Sequence, residues 1–169
     1  MRKKIFKDKG ILFWITGLSG TGKSSIGNAI YKKISNIYGP TIIIHGDDFR
    51  KIWEFNSYSN TSRYRNCVKY ARFCKYVTDQ NINIIFTVIG MFKKIRNWNK
   101  KNIKNYMEIY IENDDYKNNN NRKKFKKNVV GIDLKAELPS KPDIKISNNF
   151  KKNIKFVSNQ LIKDIKKII

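Results

Sequence analysis

Gly17, Gly22, Lys23 and Ser24 stand in the order G-x-x-x-x-G-K-S within the stretch GLSGTGKSS at residues 17–25. That spacing is the one a chain uses to hold a polyphosphate. Glycines let the backbone approach an anion closely. The turn's N–H groups form an anion-binding concavity, and a following helix adds its positive N-terminal end. Lys23 would reach the β- and γ-phosphates of a bound nucleotide, and Ser24 would put its hydroxyl on Mg²⁺. Gly17, Ser19, Gly20, Thr21, Gly22, Lys23, Ser24 and Ser25 are the expected residues binding the nucleotide's phosphates. The bland reading, a glycine-rich turn that binds nothing, does not need the strand and helix that flank this one.

Those flanks are legible. ILFWI before the loop reads as a buried strand, and SSIGNAIYKKISNIY after it as a helix with apolar residues at helical spacing. The pattern then continues in alternation. Strand TIIIH follows the Gly39-Pro40 turn. GDDFRKIW reads as a loop and short helix, NTSRYRNCVKYARFCKYVTDQ as a helix, and INIIFTVIG as a third strand. MFKKIRNWNKKNIKN reads as a helix, YMEIYIE and PDIKIS as the fourth and fifth strands, and FKKNIKFVSNQLIKDIKKII as a closing amphipathic helix. Nearly continuous apolar strands alternating with helices predict a parallel sheet covered on both faces. The expected architecture is a single α/β domain over 1–169, a three-layer α/β/α P-loop NTPase fold with a five-stranded, mainly parallel sheet. Residues 1–10 read as a basic N-terminal extension. The Asn-rich segment 113–128 suits a mobile lid over phosphates and a disordered insert equally well.

Composition sets further bounds. The 169 residues suffice for one domain with a substantial core. No apolar run approaches the ~20 residues of a membrane span, and the basic N-terminus lacks the apolar stretch of a secretory signal. Cys67 and Cys74 lie two turns apart on one predicted helix, about 10 Å by helix rise, too far for a disulfide. They read as small buried residues in a reducing cytoplasm. The formal net charge is +23. Its lysines are scattered over every segment, and no stacking motif of an RNA-binding fold accompanies them. The expectation is a general positive field that attracts polyphosphate ligands, with small-molecule nucleotides as partners and neither nucleic acid nor membrane.

After the P-loop come HGDDFR at the end of the second strand, SRYRN in the next helix, IGMFKKIRNW after the third strand and VVGIDLKAELP before the fifth. In this order and spacing, residues 12 to 148 resemble the adenylylsulfate kinase family. That resemblance implies transfer of the γ-phosphoryl group of ATP to a ribose 3′-hydroxyl, with Mg²⁺ as cofactor, in a homodimer. It assigns Asp47 to the acceptor hydroxyl and, with Ser24, to the metal. The carboxylate would accept the hydroxyl proton or orient the group for in-line attack; a helix N-cap is the plainer role for such an aspartate. Lys23 and Asp47 are thus the expected catalytic pair. Arg50, matched to the arginine that grips the acceptor's anionic tail, Arg63 and Asn66 are expected to hold the acceptor nucleotide. Ile89, Gly90, Met91 and Phe92 match the family's ISPY, and Val129, Gly131 and Ile132 lie in its second acceptor segment.

The departures fall mainly on the acceptor side. Val129 stands where the family has a phenylalanine that stacks on adenine, a contact worth roughly 1–3 kcal/mol. Gly90 replaces a serine, which reads as space opened around the acceptor. His45 replaces an aspartate, leaving a packed strand-end residue and a functional one both open. The family's lid motif is absent, although Arg122, Lys123 and Lys124 would still supply charge to the phosphates. The texture of IGMFKKIRNWNKKNIKNY resembles the subset that phosphorylates cytidine diphosphoramidate in capsule pathways. That acceptor is again a nucleoside 5′-phosphate bearing a small tetrahedral group. Adenylylsulfate kinase, a non-catalytic nucleotide sensor and a polynucleotide kinase are the alternatives.

Overall fold

A computed structural model describes residues 9–113 and 130–169. Five strands form one sheet: β1 (Ile11–Thr16), β2 (Thr41–His45), β3 (Asn83–Val88), β4 (Asn105–Glu112) and β5 (Ile144–Ser147). Their order is β2-β3-β1-β4-β5 and every pairing is parallel. The sheet is therefore wholly parallel. Helices α1 (Lys23–Tyr38), α2 (Gly46–Ile52), α3 (Asn60–Asp79), α4 (Lys93–Asn102) and α5 (Ile154–Ile168) make the connections and close the chain.

The central strand explains the layering. Every residue of β1 is buried, and successive side chains point to opposite faces. Phe13 and Ile15 pack with Ile26, Ile30 and Ile34 of α1 and with Leu161 and Ile165 of α5. Leu12 and Trp14 pack on the other face with Phe86, Tyr70, Cys74 and Ile95. The Trp14 and Phe86 rings stack at 5.3 Å. Fully burying one such side chain is worth about 1.5–3 kcal/mol. A strand buried on both faces therefore gives the P-loop at its carboxyl end a firm anchor.

Two of the boundaries that differ from the sequence expectation show their physical cause. α5 begins at Ile154 instead of Phe150, because Asn153 caps it by accepting a hydrogen bond from Phe156 N at 2.8 Å. Asn105 opens β4 instead of closing α4; its side chain donates to Lys9 O at 2.7 Å. Of the N-terminal extension, Lys9 and Gly10 are described, and Gly10 N donates to Thr78 O at 2.9 Å. The lid expectation over 113–128 lies outside the described residues except for Asn113, and Arg122 and Val129 lie outside them too.

Candidate active site

The P-loop runs from the end of β1 to the start of α1. Gly22 sits at the helix N-cap with φ 87°, a left-handed conformation that strains any other residue, and provides no side-chain cap. A helix start without a side-chain cap offers its first N–H groups to an anion. The loop is braced from behind. Thr21 Oγ1 donates to Leu18 O at 3.0 Å, and the buried Asn148 Nδ2 donates to Thr21 O at 3.0 Å. Lys23 is buried, and its Nζ donates to Leu18 O at 2.6 Å.

A cavity of about 290 Å³ opens above this loop. Its donor side is lined by Ser19, Gly20, Gly22, Lys23, Ser24 and Ser25. Facing them are Asp47 and Arg50 from α2, and Arg63 and Asn66 from α3. The segment after β3 completes the wall with Ile89, Gly90, Met91 and Phe92. All these residues sit at the carboxyl ends of parallel strands, where open α/β sheets bind ligands.

Asp47 lies in the first turn of α2 behind His45, which is the N-cap. The plainer role for Asp47, that of N-cap, is therefore taken by another residue. Its carboxylate is exposed and lines the cavity. Arg50 donates from Nη2 to Ser57 O at 2.8 Å and to Phe55 O, and its guanidinium lies 4.1 Å from the Tyr58 ring centre. Its Nε is buried without a hydrogen-bond partner among the described residues. Arg63 Nε donates to Tyr58 O at 3.0 Å. Burial first, and the Arg50 charge second, push the Arg63 pKa below its ordinary value. Two guanidinium groups held close together on a half-buried wall favour an anion beside them.

Residues 9–147 match the family described as Adenylylsulphate kinase. The chain belongs to that family. It is 35% identical to the cytidine diphosphoramidate kinase of Campylobacter jejuni over 94% of this chain and 98% of that protein. It is 33% identical to an adenylyl-sulfate kinase of Clostridium kluyveri over 88% of this chain and 80% of that protein. The fold matches that of the Mycobacterium tuberculosis APS kinase in complex with AMPPNP and APS, with a TM-score of 0.77 at 18% identity over 94% of this chain and 98% of that one. The chain is thus a kinase, a phosphotransferase acting on a hydroxyl acceptor, and the family implies ATP as the donor. No helix among the described residues is long and apolar enough to cross a membrane.

In this adenylylsulphate kinase fold, four expected site residues take up supporting positions beside the cavity. Gly17 sits where a Cβ would lie 2.4 Å from Ile111 O, so it lets the loop cross β4. Thr21 is buried behind the loop. Gly131, at φ 90°, packs on Leu18 and turns the acceptor-side segment against the P-loop, while Ile132 is exposed. Gly90 lines the cavity, but a Cβ there would lie 2.9 Å from Trp14 Cζ2 and from Val88 Cγ1. The glycine thus makes room for a packed indole, which corrects the expectation that it opens space for the acceptor. Cys67, Tyr70, Thr87, Val130 and Lys135 also line the cavity. Val130 and Lys135 fall in the segment VVGIDLKAELP; Cys67, Tyr70 and Thr87 are spaced like ordinary core residues.

Proposed function

We propose that this kinase transfers the γ-phosphoryl group of ATP to the ribose 3′-hydroxyl of cytidine diphosphoramidate. The observation that carries the reading is the shared cavity. Lys23 and Ser24 on its donor side face Asp47, Arg50 and Arg63. The first N–H groups of α1 and Lys23 would hold the β- and γ-phosphates. Asp47 would take the proton of the attacking hydroxyl as its oxygen bonds to the γ-phosphorus and ADP leaves. Arg50 and Arg63 would pair with the acceptor's anionic tail.

The Ser24 hydroxyl and the Asp47 carboxylate are hard oxygen donors on one cavity. They fit Mg²⁺, which takes one or two such protein ligands together with phosphates and water. When bound, the cation neutralises charge on the transferring group. The cytidine acceptor is supported by the Campylobacter jejuni relative, which this chain matches over 98% of its length. The second reading, adenosine 5′-phosphosulfate as acceptor, is supported by the Clostridium kluyveri relative at 33% identity.

Incubation with Mg-ATP and each acceptor, followed by phosphorus NMR and steady-state kinetics, tests this. The expected result is a 3′-phosphate on cytidine diphosphoramidate with the higher kcat/KM. A higher kcat/KM for the phosphosulfate would replace the first acceptor by the second. Transfer to neither, with ATP still bound, would sink the kinase assignment for both acceptors.

A further inference from the structure

We infer that His45 is a positioning residue for the Ser24 hydroxyl and acts on it through Thr87. The inference rests on the reading of Ser24 as a metal ligand. His45 and Thr87 are register partners at the carboxyl ends of β2 and β3. His45 Nδ1 lies 2.8 Å from Thr87 Oγ1, and Nε2 lies 3.1 Å from Asn28 Oδ1. Thr87 Oγ1 lies 3.5 Å from Ser24 Oγ.

The partners assign the protons. An amide oxygen only accepts, so Nε2 carries the ring proton and donates to Asn28. A neutral imidazole then has only a lone pair at Nδ1, and the single hydroxyl proton of Thr87 goes there. Thr87 Oγ1 is left as an acceptor toward Ser24. The Ser24 proton turns back to the sheet, and its lone pairs turn to the cavity. The chain of donors thus runs from Ser24 through Thr87 and His45 to Asn28. The Ser24–Thr87 separation is long for a hydroxyl pair; contacts of this kind tighten when a site is loaded.

Helix α1 supplies both ends of this chain and must lie close to the sheet to do so. Gly27 allows it, since a Cβ there would lie 2.8 Å from Thr87 Cγ2. Imidazole also explains how the position works without a carboxylate. It offers Thr87 the same acceptor that an aspartate would and adds no negative charge beside the phosphates. The consequence is specific. Losing the brace weakens nucleotide binding only where Ser24 has a cation to ligate.

Calorimetric titration with ADP, in Mg²⁺ and separately in EDTA, measures this. The quantity is the ratio of the two Kd values. His45→Leu and the near-isosteric Thr87→Val should each shrink the Mg²⁺-dependent gain by about 2- to 10-fold, the span of one net hydrogen bond. The Kd in EDTA should stay unchanged. His45→Asn should recover most of the gain, because its amide oxygen accepts near the Nδ1 position. The double variant should be no worse than either single one. An equal loss in EDTA would mean general distortion of the loop and would overturn the proposal, as would an unchanged ratio. Ser24→Ala separates the two readings. If it too leaves the ratio unchanged, the metal-ligand role of Ser24 fails; if it alone shrinks the ratio, only the role of His45 fails.

Discussion

Arg96 on α4 and Glu108 on β4 form a buried ion pair, with Nε 2.8 Å from Oε1. From the same guanidinium, Nη1 donates to Glu137 O at 2.7 Å. Glu137 in turn accepts from Lys93 N through its carboxylate and donates its own N–H to Met91 O at 3.1 Å. One arginine therefore ties the segment around Glu137 to the start of α4 and to the residues after β3 that line the cavity. Arg96→Ala would remove this cation from the largely buried Glu108 carboxylate. Breaking a buried pair costs about 3–5 kcal/mol, or roughly 6–20 °C in Tm for a chain of this size. The KM for the acceptor should rise more than the KM for ATP, which steady-state kinetics would show. Equal changes in both would mean that the pair only stabilises the fold.

Lys23→Ala should abolish phosphoryl transfer and leave most of the fold intact. Its ammonium is tied to the loop by the bond to Leu18 O, and losing a hydrogen bond from a charged group costs about 1.5–3 kcal/mol. A coupled assay and a thermal melt would check the two halves separately. Near-normal transfer would remove Lys23 from the phosphates.

Asp47→Asn keeps the size of the side chain and removes its basicity. The fall in kcat should be about 10²- to 10⁴-fold, the range for general-base assistance, with ATP affinity retained. A loss confined to the KM for ATP would move Asp47 to the donor side.

These roles differ in how far the sequence reveals them. The P-loop is legible because its parts are contiguous: a strand, a turn and a helix whose signals all agree. Asp47, Arg50 and Arg63 are legible as motif residues, and their convergence on one cavity comes from strand ends that share an edge. The His45–Thr87 contact is not legible, since it depends on the register between β2 and β3, 42 residues apart. The same holds for the tie between Arg96, Glu108 and Glu137, which forms only where three elements meet. Gly27 would be a weak point in an isolated helix and proves to be the close approach to Thr87. The Asn153 cap does have a local signal, an asparagine directly before the apolar periodicity, which the run of charged residues before it obscures.

Cys67 and Cys74 are free and buried. Burial raises the Cys67 pKa from 9.0 to about 12 and that of Cys74 well above its ordinary value. The thiolate is the reactive form, so iodoacetamide at pH 8 should modify neither residue quickly while the fold holds. The neutral thiol is favoured in the folded state, so its contribution to stability is full below pH ~9 and is lost as pH rises toward 12. Mass spectrometry over a denaturant series should show labelling that tracks unfolding. Fast labelling of Cys67 in native buffer would mean that the acceptor wall opens locally.

Gly90 and Val129 give the last test, because they separate packing from specificity. A Cβ at position 90 meets Trp14 and Val88 at 2.9 Å, and neither can withdraw from a packed sheet face. Gly90→Ser should therefore cost about 1–3 kcal/mol by overpacking and should not improve the use of adenosine 5′-phosphosulfate. Val129→Phe restores the aromatic residue that the family resemblance places on the adenine. If an adenine stack is worth roughly 1–3 kcal/mol, the ratio of kcat/KM for the phosphosulfate over cytidine diphosphoramidate should rise about 5- to 150-fold. The two variants, assayed with both acceptors beside a thermal melt, should thus move different quantities. A change in acceptor preference from Gly90→Ser without loss of stability would mean that the backbone yields there and the side chain reaches the acceptor after all. An unchanged ratio in Val129→Phe would assign base discrimination to other residues.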